Sequence, residues 1–142
     1  MNNISVIKEL VRAYQSFETY SSGHIRELGL TPVQFDVLAT LGNQPPMSYK
    51  QLGEKTLISK SSLTGVVERM ITKGFIVILN NPEDARSHLL KLTAKGQRIF
   101  EKVFPEHLAY LEQAFKKLPV KRLKEITESL TELKSIFNEP RS

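Results

Sequence analysis

The chain has 142 residues, no cysteine and a net charge of +5. The length fits one small domain with helical extensions, and a hydrophobic content of 40% is enough to bury a core. The lack of cysteine excludes a disulfide, a thiol nucleophile and thiol redox sensing. There is no basic-then-apolar leader and no apolar run of membrane-spanning length, so the expectation is a soluble, cytoplasmic protein without membrane contact.

The basic excess is local. Residues 48–98 hold nine Lys/Arg against four Asp/Glu, whereas residues 1–47 hold three against four and residues 99–142 eight against seven. A confined positive region is what phosphate binding requires. Small basic domains also occur without any ligand, so charge alone does not decide.

In chain order, Ile4, Ile7, Leu10 or Val11, Tyr14 and Phe17 recur at helical spacing and predict an amphipathic helix from Ile4 to about Tyr20. Ser21-Ser22-Gly23 is a candidate end, with His24–Leu30 either continuing the helix or turning. Thr31-Pro32 is a helix start, with Thr as N-cap and Pro at the first helical position. This helix carries Phe35, Val37, Leu38 and Leu41 and stops at Gly42, before Pro45-Pro46. Ser48 caps a short helix, Tyr49–Thr56. Ser59 caps a longer one to about Lys73, which Gly74 terminates through its access to left-handed backbone. Phe75–Leu79 and His88–Leu92 read as strands, joined by the polar turn residues Asn80–Ser87. Thr93 caps the next helix, which meets Pro105 and reaches Leu118. Val120 or Lys121 opens a last helix carrying Leu123, Ile126, Leu130, Leu133 and Ile136 or Phe137.

Two helices, a tight turn and a hairpin make a winged helix-turn-helix, a device that reads DNA. The fold class expected is therefore mainly α with a β wing. Residues 31–98 would form the DNA-binding domain, and residues 1–30 and 99–142 a helical dimerisation region. The helix after Ser59 is suited to recognition. Its first turn is small and hydroxylated, and amides at a helix N-terminus attract phosphate. Leu63, Val66, Val67, Met70 and Ile71 would form its buried face. The DNA contacts expected are Ser48, Ser59, Lys60, Ser61, Ser62, Thr64, Arg69, Arg86, Ser87 and Lys91. Arg86 is the residue expected in a minor groove, where narrow A·T-rich segments attract guanidinium groups. Asp84 would restrain the wing tip, by hydrogen bonds or an ion pair. A solvated surface loop is the plain alternative.

No phosphate-binding Gly-rich loop and no G-x-S-x-G nucleophile is present, so an enzyme is not expected. A winged helix that docks a partner protein without binding DNA remains the alternative. Long apolar seams at both ends of the chain favour a homodimer, whose symmetry matches a palindromic operator.

Three segments give the chain a resemblance to the multiple antibiotic resistance regulator (MarR) family. They are L-T-P-V-Q-F-D-V-L-A-T-L at Leu30–Leu41, Q-L-G-E-K-T-L-I-S-K-S-S-L-T-G-V-V-E-R-M-I-T-K-G-F-I at Gln51–Ile76, and D-A-R-S-H-L-L-K-L-T-A-K-G at Asp84–Gly96. The resemblance implies a homodimer on double-stranded palindromic operator DNA, usually a repressor. It also implies release by a small ligand, often an aromatic acid, and no cofactor. A ligand pocket would draw on Tyr14, Phe17, His24 and Phe35, although the same stripe also reads as core. Zinc-sensing members carry a His-x-x-x-His pair. Here Leu111 follows His107 at the fourth position, and the three histidines (His24, His88, His107) read as structural or surface residues, with no metal site expected.

Overall fold

A computed structural model describes residues 3–57 and 63–140. Among them the elements are α1 (Asn3–Glu27), α2 (Pro32–Leu41), α3 (Tyr49–Lys55), α4 (Leu63–Thr72), β1 (Ile76–Asn80), β2 (His88–Leu92), α5 (Ala94–Phe115) and α6 (Val120–Phe137). The fold is mainly helical with one two-stranded antiparallel sheet. Two compact units divide the chain after His107.

The helix starts follow their capping chemistry. The Thr31 hydroxyl accepts from the Gln34 amide while the Gln34 side chain accepts from the Thr31 amide. Ser48 and Gln51 form the same reciprocal box at α3. Each box satisfies two of the amides that a helix N-terminus leaves without partners.

α1 runs to Glu27, beyond the end predicted near Tyr20, and Ser21-Ser22-Gly23 lies inside it. Ser21 and Ser22 are buried, and the Ser21 hydroxyl bonds to the His107 ring, so these small residues serve as a packing surface. Gly29, with φ of 87°, makes the actual turn. Pro105 lies within α5 without ending it.

The core of the first unit gathers Val37 and Leu38 of α2, Leu52 of α3, Val67 and Met70 of α4, and Leu90 of β2, each with no exposed surface. Burying a side chain of this size contributes about 1.5–3 kcal/mol, and the sheet adds Ile76, Leu90 and Leu92 to the same core. The hairpin pairs Ile76 with Leu92, Ile78 with Leu90 and Asn80 with His88. The first strand thus begins one residue later than predicted, because Phe75 is used in the preceding turn. Met47 and Leu90 exchange two backbone hydrogen bonds (3.1 and 2.7 Å), which ties the segment before α3 to β2.

One junction joins α4, the hairpin and α5. Gly74 has φ of 82° and donates to the Ile71 carbonyl, while Phe75 donates to the Met70 carbonyl. This paired closure ends α4 and turns the chain into β1. From the other side, the Thr93 hydroxyl donates to the Gly74 carbonyl, and the Thr93 amide donates to the Phe75 carbonyl. The same hydroxyl accepts from the Gly96 amide at 3.0 Å, capping α5. Lys95 donates its ammonium to the Lys73 carbonyl and lies over the Phe75 ring, 5.1 Å from its centroid. A side chain at Gly96 would enter the van der Waals shell of the Phe75 carbonyl oxygen. Gly96→Ala must therefore push β1 and α5 apart. It should cost about 3 kcal/mol, seen as a lowered midpoint in a thermal melt; an unchanged midpoint would show that this junction is compliant.

Candidate nucleic-acid interface

Of the residues expected to touch DNA, Ser59, Lys60, Ser61 and Ser62 lie outside the described residues. The rest are placed. Leu63, Val66, Val67 and Met70 form the buried side of α4, and Thr64 and Arg69 project from its exposed side. Ser48 uses its hydroxyl as an N-cap acceptor, which leaves its O–H able to donate elsewhere. Lys91 stands on β2 opposite Val77, on the outward face of the hairpin.

The wing tip is a chain of local turns. Asn81 accepts at its side chain from the Glu83 amide (3.0 Å), and its carbonyl accepts from the Asp84 amide (3.2 Å). The Asp84 carboxylate accepts from the Arg86 amide at 3.0 Å, and its carbonyl accepts from the Ser87 amide. Of the two restraints open to Asp84, the structure uses the hydrogen bond. It grips the backbone of Arg86, so the guanidinium stays exposed and, among the described residues, carries no ion pair. A cation held forward on a braced loop, with its donors unspent, is suited to a phosphate-lined groove.

Of the four residues expected to line a ligand pocket, two converge and two do not. Tyr14 and Phe17 are exposed on α1. His24 and Phe35 meet at a residue the sequence did not single out for this role. The His107 ring is 2% exposed; it bonds to Ser21 Oγ through Nε2 (2.9 Å) and to His24 Nδ1 through Nδ1 (2.9 Å). The two imidazoles stack with centroids 5.2 Å apart, and Phe35 meets His107 edge-on at 4.8 Å. The spacing between the two histidines is 83 residues, so only the packing of α5 against α1 reveals the pair. Among the described residues no three His, Asp or Glu gather into a metal-holding group. A cavity of about 390 Å³ opens in this unit, and it is lined by Glu18, Thr19, Ser22, Gly23, Arg26 and Pro32.

A helix-turn-helix seated on a three-helix core, with a hairpin wing and an exposed arginine at its tip, defines a winged helix-turn-helix DNA-binding protein. Residues 30–88 match the model of the MarR family. The HTH-type transcriptional regulator MhqR of Bacillus subtilis (strain 168) is 31% identical over 121 residues, covering 85% of this chain and 83% of that protein. The chain belongs to the MarR family of transcriptional regulators, which are not enzymes. Its fold superposes on that of Bordetella bronchiseptica BpsR, whose DNA binding is regulated by 6-hydroxynicotinic acid. There the TM-score is 0.80 at 27% identity, covering 91% of this chain and 92% of that one. A MarR-family regulator from Streptomyces coelicolor in complex with DNA shares the fold, with a TM-score of 0.84 at 21% identity, covering 97% and 89% of the two chains.

Burial pushes the His107 pKa below its usual 6.5, and the neighbouring His24 pushes it the same way. The folded protein then binds fewer protons than the unfolded chain just below pH 6.5. The favourable contribution of neutral His107 is complete above that pH and is lost as pH falls towards the lowered folded-state pKa. Thermal melts across this window should show the wild type losing stability as the pH drops. His107→Gln, which does not titrate, should show a shallower fall; equal slopes would mean that His107 is not the responsible group.

Proposed function

We propose that this protein is a homodimeric repressor that binds a palindromic operator in double-stranded DNA in the cytoplasm and is released by a small aromatic ligand. Residues 31–98 act as the DNA-binding domain, and residues 1–30 and 99–142 as the dimerisation region. The segment from Ser59, with Ser59, Lys60, Ser61, Ser62, Thr64 and Arg69, enters the major groove. Arg86 enters the adjacent minor groove, with Ser48, Ser87 and Lys91 on the flanking backbone. The observation that carries this reading is the wing tip, where Asp84 holds the Arg86 backbone and leaves the guanidinium exposed. The net +5 confined to residues 48–98 supports it electrostatically.

Dimerisation is supported by apolar side chains that a protomer leaves in solvent. α1 exposes Ile4, Ile7, Val11, Tyr14 and Phe17, and α6 exposes Leu130, Ile136 and Phe137 and has no buried residue. Exposed apolar stripes of this kind, on each helix by itself, mark protein interfaces. The control of BpsR by 6-hydroxynicotinic acid supports a ligand of that class here, with His24 and Phe35, which meet at His107, as the contact set.

Arg86→Ala should weaken operator affinity by about 1–3 kcal/mol and leave the melting midpoint unchanged. Fluorescence anisotropy on DNA from upstream of the protein's own gene, against a scrambled duplex, measures this. Unchanged affinity would remove the wing from the mechanism, and equal binding to both duplexes would favour the protein-docking alternative. Leu130→Asp places a charge on a half-exposed position of α6, so it spares the protomer. Sedimentation should show dissociation to monomers; a dimer of wild-type stability would place Leu130 outside the interface.

A further inference from the structure

We infer that Asp36 is a positioning residue for DNA recognition: its carboxylate on α2 fastens the helix-turn-helix turn immediately ahead of the recognition segment. Asp36 is 5% exposed, although a carboxylate surrounded by core is costly to bury without partners. Both of its oxygens lie within hydrogen-bond distance of the Leu57 amide, at 3.1 and 3.0 Å. Leu57 cannot hold the turn by its own side chain, which is 90% exposed. The residue before it, Thr56, donates its amide to the Leu52 carbonyl and its hydroxyl to the Gly53 carbonyl, both in α3. Among the described residues, the chain leaving α3 is tied to α2 by this charge-assisted bond, a bond type about twice as strong as a neutral one.

Asp36 also stands next to Phe35, whose ring meets His107 edge-on. One turn of α2 thus touches the histidine cluster on one side and the helix-turn-helix turn on the other. A shift of α2 at Phe35 carries the Asp36 carboxylate with it, and the Leu57 amide follows. The inference rests on the operator-binding reading for its functional consequence, but the contact itself can be tested without DNA.

The experiment uses the full chain as wild type, Asp36→Ala and Asp36→Asn. Asn retains one acceptor oxygen and the side-chain volume, so it keeps the turn partly held. Amide hydrogen exchange followed by NMR is read first. In Asp36→Ala the Leu57 amide should exchange about tenfold faster or more, while the amides of Val67 and Met70 in the core keep their rates; Asp36→Asn should fall between. Anisotropy on the operator and on a scrambled duplex is read second. Asp36→Ala should lose about tenfold in operator affinity with unchanged affinity for scrambled DNA, and Asp36→Asn should recover part of the loss. An unaltered Leu57 exchange rate overturns the inference. So does altered exchange with the operator preference intact, because the contact would then be structural only. If wild type itself fails to distinguish the duplexes, the operator-binding reading falls, and the exchange data still decide whether Asp36 holds the turn.

Discussion

The close approach of Gly96 to the Phe75 carbonyl is the constraint on which the reading head depends. It lets the start of α5 press against Phe75, in the turn between α4 and β1. With Thr93 bonded to both Gly74 and Phe75, and Lys95 bonded to Lys73, three elements share one set of backbone groups. The carbonyls of Lys73, Gly74 and Phe75, just past the end of α4, are satisfied by the chain that follows the wing. A recognition helix fixed at its C-terminal end can still be adjusted at its N-terminal end. That is the end whose approach is governed by the Leu57 amide and the Asp36 carboxylate.

The two ends of α4 are thus held by different kinds of contact. At the C-terminal end the contacts are many, local in space and close-packed, with Met70 and Val67 fully buried beneath them. Ahead of its N-terminal end, among the described residues, the buried Asp36 carboxylate on α2 holds the Leu57 amide. α2 also contacts the His24–His107–Ser21 network through Phe35. That network is sensitive to protons and to anything that displaces an imidazole, since both rings cannot carry their Nδ1 protons toward each other at 2.9 Å.

Much of the architecture was legible because its signals are short-range. The caps at Thr31 and Ser48, the stop at Gly74 and the hairpin are each written within a few residues; the caps and the stop appear where the spacing placed them, and the first strand is shifted by one residue, to Ile76–Asn80. The end of α1 was misplaced because Ser21-Ser22-Gly23 is a turn signal only when solvent is its surroundings; packed against His107, the same small residues continue a helix. The histidine pair was illegible for a related reason. Its members lie 83 residues apart and neither has a local motif, so they read singly as surface or structural residues. Asp36 went unnoticed because a lone acid on an apolar helix looks like its solvent edge. Only the position of the Leu57 amide turns it into a buried acceptor. The chemistry of the recognition segment from Ser59 to Ser62 was read from composition and still rests there.

The hairpin carries a cost of its own. Ile76, Val77, Ile78 and Leu79 are four consecutive aliphatics on β1, and β2 is bonded to β1 on one side and to Met47 on the other, leaving β1 as the open edge. An apolar edge strand is a template for pairing with strands of other chains. Its neighbours limit the hazard: the strand is five residues long and runs straight into Asn80-Asn81-Pro82 and the charges of Glu83, Asp84 and Arg86, gatekeepers that make strand extension unfavourable. The wing tip that leaves Arg86 exposed therefore also guards the open edge of the hairpin. Pro82, Glu83 and Asp84 thus have a role against edge-to-edge pairing that is separate from any contact with a base or phosphate.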